Sequence, residues 1–252
     1  MILPCLKQCQ HSKRAVINKS RHMNQMSENV MPPPAPEQAK TPAHQSVYQR
    51  LRMRILFGDF VPGQAVTIQG LTTDLDVGMT PVREALRRLI SDGALKMQGN
   101  RRVSVPHLTA SCINQLDYMR QMLEPQLARL AARQMTQPVL TQLKQYDDAL
   151  NVAIARGDIP GYLTQNYRFH AAINASADAP ILAETVDRLW LRFGPSLRVV
   201  CGHHGTLNLP DKHIEMLRAF ENRDPEAAAR AMSEDVQQGM VQIKNALDQD
   251  RL

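Results

Sequence analysis

At 252 residues, with 43% hydrophobic and 21% charged residues, the chain has room for two modest domains and the composition of an ordinary soluble globular protein. No apolar run approaches the ~20 residues of a membrane span. The first residues lack a signal-peptide core, and Cys5, Cys9, Cys112 and Cys201 show neither a disulfide framework nor zinc-finger spacing, so a cytoplasmic location and no membrane partner are expected. The net charge of +6 is uneven: residues 1–46 carry six Lys/Arg against two Glu, residues 47–108 nine against five acids, and residues 109–252 fifteen against seventeen. A basic front suits a polyanion, and a slightly acidic back suits another task.

Residues 1–45 have no hydrophobic periodicity and contain Met31-Pro-Pro-Pro-Ala-Pro36, which reads as a flexible arm. Val47, Leu51, Ile55 and Leu56 then recur at helical spacing until Gly58 and the Pro62-Gly63 turn. A short helix is expected from Ile68 to Leu75. The next one opens at Gly78-Met79-Thr80-Pro81, with Thr80 as N-cap, Pro81 in the first turn, and Leu86, Leu89 and Ile90 as the buried stripe. After Gly93, residues 94–97 and 103–105 read as a hairpin turning at Gly99-Asn100, and Pro106 closes it.

The order helix, helix, turn, helix, hairpin is that of a winged helix-turn-helix, spanning residues 46–107. A helix entering the ~12 Å major groove needs base-reading side chains near its N-terminus. Arg83 is placed there, with Arg87 four residues on along the same face. Thr80, Pro81 and the free N–H groups of that helix end suit a phosphate. The hairpin tip Asn100-Arg101-Arg102 has the charge of a wing lying on the DNA backbone. The alternative, a small α/β domain with solvated arginines, does not account for the cationic residues falling on the proposed contact edges.

Residues 47–106 resemble the DNA-binding domain of the GntR family. The Pro62-Gly63 turn, the Leu75-Asp76-Val77 approach and the Pro81-Val82-Arg83-Glu84-Ala85-Leu86-Arg87-Arg88-Leu89 helix stand where that family has them. Two positions depart from it. Gly78-Met79 replaces a Ser-Arg pair whose arginine commonly touches DNA, and the wing glycine is replaced near Arg102, which makes the wing more basic. The resemblance implies a ligand-responsive transcriptional regulator, repression being the family's commoner outcome, that binds a palindromic double-stranded operator as a homodimer.

Residues 108–252 carry almost no β signal. Helical stripes cover residues 113–130, 140–155, 159–175, 181–200, 211–221 and 225–247, separated by Gln137-Pro138, Gly157, Ala179-Pro180, the 202–210 stretch and Asp224-Pro225. A mostly α chain is expected: the winged head followed by a six-helix antiparallel bundle, whose ligand sites lie between facing helices. Asn166 and His170, four apart, share one helix face. His213 begins a later helix, and Asp235 lies midway along the last. Alone, each histidine reads equally as a hydrogen-bonded core residue.

The bundle resembles the FCD sensor domain of the FadR-type branch of the same family, many of whose members hold a divalent metal. That resemblance places the metal ligands on Asn166, His170, His213 and Asp235. An amide stands where the family has a carboxylate, and Asp235 where it has a histidine, so the charge of the set is conserved. Such donors suit Zn²⁺, Ni²⁺, Mn²⁺ or Fe²⁺. The family's effector is commonly a small carboxylate metabolite, and Arg120 matches its cavity arginine; an i,i+4 salt bridge from Arg120 to Glu124 is the competing assignment. His203 and His204 are expected in an exposed loop. Two other functions remain in competition: a metal-dependent enzyme using His170, His213 and Asp235, and a metal-free helical interaction module.

Overall fold

The computed structural model describes residues 42–99, 102–204 and 212–248, and most of the arm expected over residues 1–45 lies outside them. Nine helices and three short strands are present among the described residues. Helix α1 (Ala43–Leu56) begins within the span expected for the arm, just after Pro42, whose missing N–H is harmless at a helix start. Val47, Leu51 and Ile55 of α1 are fully buried against Val82, Leu86 and Leu89 of α3 (Met79–Ser91). Between them lies α2 (Ile68–Leu75), capped by the Thr67 hydroxyl accepting from the Gly70 N–H at 3.1 Å.

Helix α3 starts two residues earlier than Thr80 capping would require. Gly78 occupies the cap and Met79 the first helical position, which puts Pro81 third, where an absent N–H still has no partner to lose. The wing is a three-stranded antiparallel sheet of β1 (Ala65–Val66), β2 (Lys96–Met97) and β3 (Val103–Ser104), in the order β1-β3-β2. Its register pairs Val66 and Met97 with Val103. The hairpin strands are shorter than expected, and β1 is an addition: two residues carry no alternation that a sequence pattern can register.

Six helices follow: α4 (Ala110–Gln134), α5 (Gln137–Arg156), α6 (Ile159–Ala175), α7 (Pro180–His204), α8 (Lys212–Glu221) and α9 (Pro225–Asp248). Their ends follow local chemistry. Thr109 caps α4 through Cys112 N–H, Asp158 caps α6 through Gly161 N–H, and Asp224 takes the N–H groups of Glu226 and Ala227 at the head of α9. Gly157 ends α5 in the left-handed region at φ 64°, a conformation that L side chains adopt reluctantly. α7 continues to His204, so the backbone of His203 and His204 is helical rather than looped. Helix α4 packs along α9, α5 along α6, and α8 along α9, around a core that includes Phe169, Phe193 and Phe220.

Head and bundle meet where α1 packs on α7. Gly194 makes this approach possible: a Cβ there would sit 3.2 Å from the Leu56 carbonyl oxygen and 3.3 Å from its Cα. The backbone of α1 cannot yield as a flexible side chain would. Gly194→Leu is therefore expected to destabilise the protein by about 1–3 kcal/mol through overpacking, read as a lowered urea midpoint. Unchanged stability would mean that the two helices can separate freely.

Candidate functional site

Two surfaces carry the expected chemistry. On the head, Thr80, Arg83 and Arg87 are exposed along α3, and Pro81 is half-buried beside them. The three arginines of this helix are not equivalent. Arg87 is paired with Glu84 at 2.6 Å, and the Arg88 guanidinium lies 3.9 Å over the Tyr48 ring, whose hydroxyl donates to Asp92 at 2.8 Å. Arg83 makes no ion pair among the described residues. Met79, in the position of the family's arginine, is 50% exposed at the helix start. In the wing Arg102 is exposed, and its carbonyl accepts from the Gln98 N–H at 2.7 Å; Asn100 and Arg101 lie outside the described residues.

In the bundle, three helices bring His170 (α6), His213 (α8) and Asp235 (α9) together, with one potential ligand atom from each within 4.8 Å of the others. His170 Nε2 is 3.1 Å from one Asp235 oxygen, and His213 Nε2 is 3.9 Å from the other. Each imidazole is backed on its far nitrogen by a carboxylate that sequence reasoning did not assign to the site. Glu124 Oε2 lies 3.4 Å from His170 Nδ1, and Asp147 Oδ1 lies 3.1 Å from His213 Nδ1. Phe169 stacks on His213 at 4.0 Å, 10° from parallel, and fixes the ring plane. Asn166 is half-buried one turn before His170 and makes no side-chain hydrogen bond among the described residues.

Arg120 makes the i,i+4 salt bridge to Glu124. It is 4% exposed, its Nε donates to Glu124 at 2.5 Å, and its guanidinium lies 4.2 Å from the Phe193 ring centre and 5.0 Å from that of Trp190. Glu124 thus bridges Arg120 and His170. Burial opposes ionisation of Glu124, but the Arg120 and His170 charges outweigh it and hold its carboxyl below the usual range. Burial likewise opposes protonation of His170, while the Asp235 and Glu124 carboxylates on either side raise its pKa to about 9. Asp235 answers in the opposite sense: burial would raise its pKa, and the facing histidines and Arg120 bring it down to about 2.

This donor set fits a divalent cation. A metal would replace the His170 proton; with both imidazoles then neutral, Arg120 stands against Glu124, Asp147 and Asp235, which leaves two negative charges in a largely buried cluster to meet the cation. Neither His170 nitrogen meets hydrogen-bond geometry with a protein partner, and an unpartnered polar atom there is costly. The carboxylate behind each Nδ1 is the arrangement that orients a metal-bound imidazole through Nε2.

A winged helix-turn-helix joined to an all-helical bundle is the architecture of a DNA-binding regulator. Comparison with known proteins agrees. Residues 43–105 match the family described as bacterial regulatory proteins, gntR family, and residues 117–238 match the FCD domain. The HTH-type transcriptional regulator McbR of Escherichia coli K12 is 29% identical over 194 residues, 75% of this chain and 87% of McbR. The HTH-type transcriptional repressor RspR of the same organism is 25% identical over 201 residues, 78% and 87% of the two chains. The solved structure of E. coli McbR/YncC superposes with a TM-score of 0.77 at 26% identity, covering 82% of this chain and 99% of that one. A putative GntR regulator from Rhodococcus sp. RHA1 gives 0.67 at 25% identity, covering 82% and 99%.

The chain belongs to the GntR family of transcriptional regulators, in the branch that carries an FCD domain. Regulators of this family bind DNA operators, and the reading of His170, His213 and Asp235 as an enzyme's centre gives way to that assignment. No helix among the described residues is long and apolar enough to cross a membrane.

Proposed function

We propose that this chain is a metal-dependent, ligand-responsive regulator, most simply a repressor, that binds a palindromic operator as a homodimer. The observation that carries the reading is the convergence of His170, His213 and Asp235, each histidine backed by its own carboxylate, on the chain that carries the DNA-reading helix. In this reading the head runs from α1, which begins at Ala43, to about residue 107, and the sensor from residue 108 onward. His170, His213 and Asp235 would hold the metal, and the Asn166 amide, on the same face one turn before His170, is the fourth donor. When bound, the metal supplies a Lewis-acidic anchor for a carboxylate oxygen.

Around that anchor the chain's own residues select the ligand. Arg120 commits its Nε to Glu124 and turns one terminal nitrogen toward Met240 Sδ at 3.7 Å, a weak acceptor. That leaves the guanidinium able to exchange sulfur for the second oxygen of a carboxylate effector. Phe169, Trp190 and Phe193 keep the setting apolar, which strengthens every charge contact within it. On the head, Arg83 and Arg87 read base edges, while Thr80, Pro81, Asn100, Arg101 and Arg102 lie on phosphates.

A thermal-shift screen of small carboxylic acids, on protein stripped with chelator and on the same protein reloaded with Zn²⁺, Ni²⁺, Mn²⁺ or Fe²⁺, tests this. At about 100 times its Kd an acid contributes about 2.7 kcal/mol, or roughly 5–10 °C in a chain of this size. The expected result is an acid that stabilises the reloaded protein far more than the stripped one. Stabilisation by no acid in either state would refute the effector assignment.

A further inference from the structure

A cavity of about 410 Å³ lies outside the His170 centre, at the junction of head and bundle. The turn after α3 at Gly93 and the connecting residues Pro106, His107 and Leu108 form one wall, and α4 and α7 form the other. Its volume falls within the roughly 300–1,000 Å³ of small-molecule sites, which favour such junctions. Leu108, Leu116 and Leu189, each buried, make an apolar floor, and the exposed Met119 adds to it.

The charge on this cavity has one sign. Arg188 and Arg192, four residues apart on one face of α7, line it together with the His107 imidazole, and no aspartate or glutamate does. The neighbouring carboxylates are engaged elsewhere. On α7, Asp187 takes Arg52 of α1, whose guanidinium also donates to the Tyr167 hydroxyl at 2.7 Å, and Glu184 lies with Asp187 on the groove against α6. On α4, Asp117 is paired with Lys244 at 2.5 Å, and on the head Asp92 accepts from the Tyr48 hydroxyl at 2.8 Å. Arg188 makes no ion pair among the described residues.

Two of the polar groups are seated by the fold. The Arg192 guanidinium lies over Gly93, where a Cβ would stand 2.6 Å from both Nε and Nη2, and its Nε donates to the Asp92 carbonyl at 3.3 Å. No protein acceptor meets its terminal nitrogens among the described residues. His107 lies likewise against Gly63, in space that a Cβ would fill. Both glycines stand at positive φ, 77° and 81°, so the bare surfaces that hold the two side chains come with the turns themselves. A guanidinium already held in place loses little freedom when it grips a carboxylate through two parallel hydrogen bonds. An ammonium would meet two like charges here, a hydrocarbon would leave both guanidiniums unmet, and an inorganic anion would leave the leucines uncovered.

We propose that this junction cavity binds an organic monocarboxylate with a compact apolar body, at a site separate from the His170 centre. The carboxylate lies between Arg188 and Arg192 with His107 beside it, and the apolar body covers Leu108, Leu116 and Leu189. The occupant touches the head at Gly93 and His107 and the bundle at α4 and α7, so it bridges the two. Its binding needs no metal.

The test uses the full chain in excess EDTA, so that no metal at His170, His213 and Asp235 can anchor an acid. Isothermal titration compares cyclohexanecarboxylate with cyclohexanecarboxamide, which has its shape without its charge, and with acetate, which has its charge without the ring. The proposal predicts saturable binding of the cyclohexyl acid and roughly tenfold weaker binding of the other two. Arg188→Gln, at an exposed position with no partner to lose, should weaken it roughly fivefold, in keeping with one solvent-exposed charge pair. Cys112 is an exposed thiol on the cavity wall, so the bound acid should slow its alkylation by N-ethylmaleimide, located by peptide mass spectrometry. No saturable binding, equal binding of the amide or of acetate, undiminished binding to Arg188→Gln, or an unchanged rate of Cys112 alkylation would overturn the proposal.

Discussion

Arg83→Ala is expected to weaken binding of a specific operator duplex by roughly 5- to 150-fold, or about 1–3 kcal/mol, with folding stability changed by less than about 0.5 kcal/mol. The asymmetry between the two effects comes from what Arg83 touches in the free protein. It is exposed on α3 and makes no ion pair among the described residues, whereas Arg87 is neutralised by Glu84 and Arg88 is spent on the Tyr48 ring. A guanidinium with no internal partner is available for bidentate contact with guanine at no cost to the fold. Arg87→Ala should weaken binding less, and with less sequence dependence. Fluorescence anisotropy at fixed salt, with a selected palindrome and a scrambled duplex, separates these outcomes. Wild-type affinity and selectivity in Arg83→Ala would remove Arg83 from the reading surface.

Glu124→Ala should destabilise the protein by about 3–5 kcal/mol, a fall in Tm of roughly 6–20 °C. Glu124 is fully buried and is shared by Arg120 and His170, so its removal strands a buried guanidinium between Trp190 and Phe193 and leaves His170 Nδ1 facing nothing. The Arg129–Glu226 pair is the internal control. It has comparable geometry at 2.8 Å, but Glu226 is 61% exposed, and Glu226→Ala should cost less than about 1 kcal/mol. The same change at Glu124 should also lower metal affinity about 10- to 100-fold, as expected when the partner behind a coordinating histidine is lost. Equal costs for the two variants would show that the Glu124 cluster is solvated and carries no special burden.

Much of this architecture was legible from punctuation. Pro138, Pro160, Pro180 and Pro225 open helices, Gly157 closes one, and α2 and α6 have the bounds that their apolar periods suggest. The start of α3 was misplaced because Thr80 and Pro81 are equally comfortable within a first turn, and Gly78 can cap by backbone conformation alone. His170, His213 and Asp235 could be brought together only by resemblance, since nothing local links α6, α8 and α9. Glu124 was visible as a helix neighbour of Arg120, yet its reach to His170 depends on how α4 packs beside α6. Asp147 carried no signal at all: it lies 66 positions from His213, on a helix whose sequence reads as amphipathic and ordinary. The Arg52–Tyr167–Asp187 contact is likewise a product of α1 meeting the bundle.

The metal centre is the point on which the sensing account turns, and isothermal titration of Zn²⁺ and Ni²⁺ into chelator-stripped protein measures it directly. The account predicts binding of one ion per chain to the wild type. It also predicts loss of that binding in His170→Ala and His213→Ala proteins that remain folded by circular dichroism. Absence of stoichiometric binding in the wild type, or binding that persists in both variants, would contradict it.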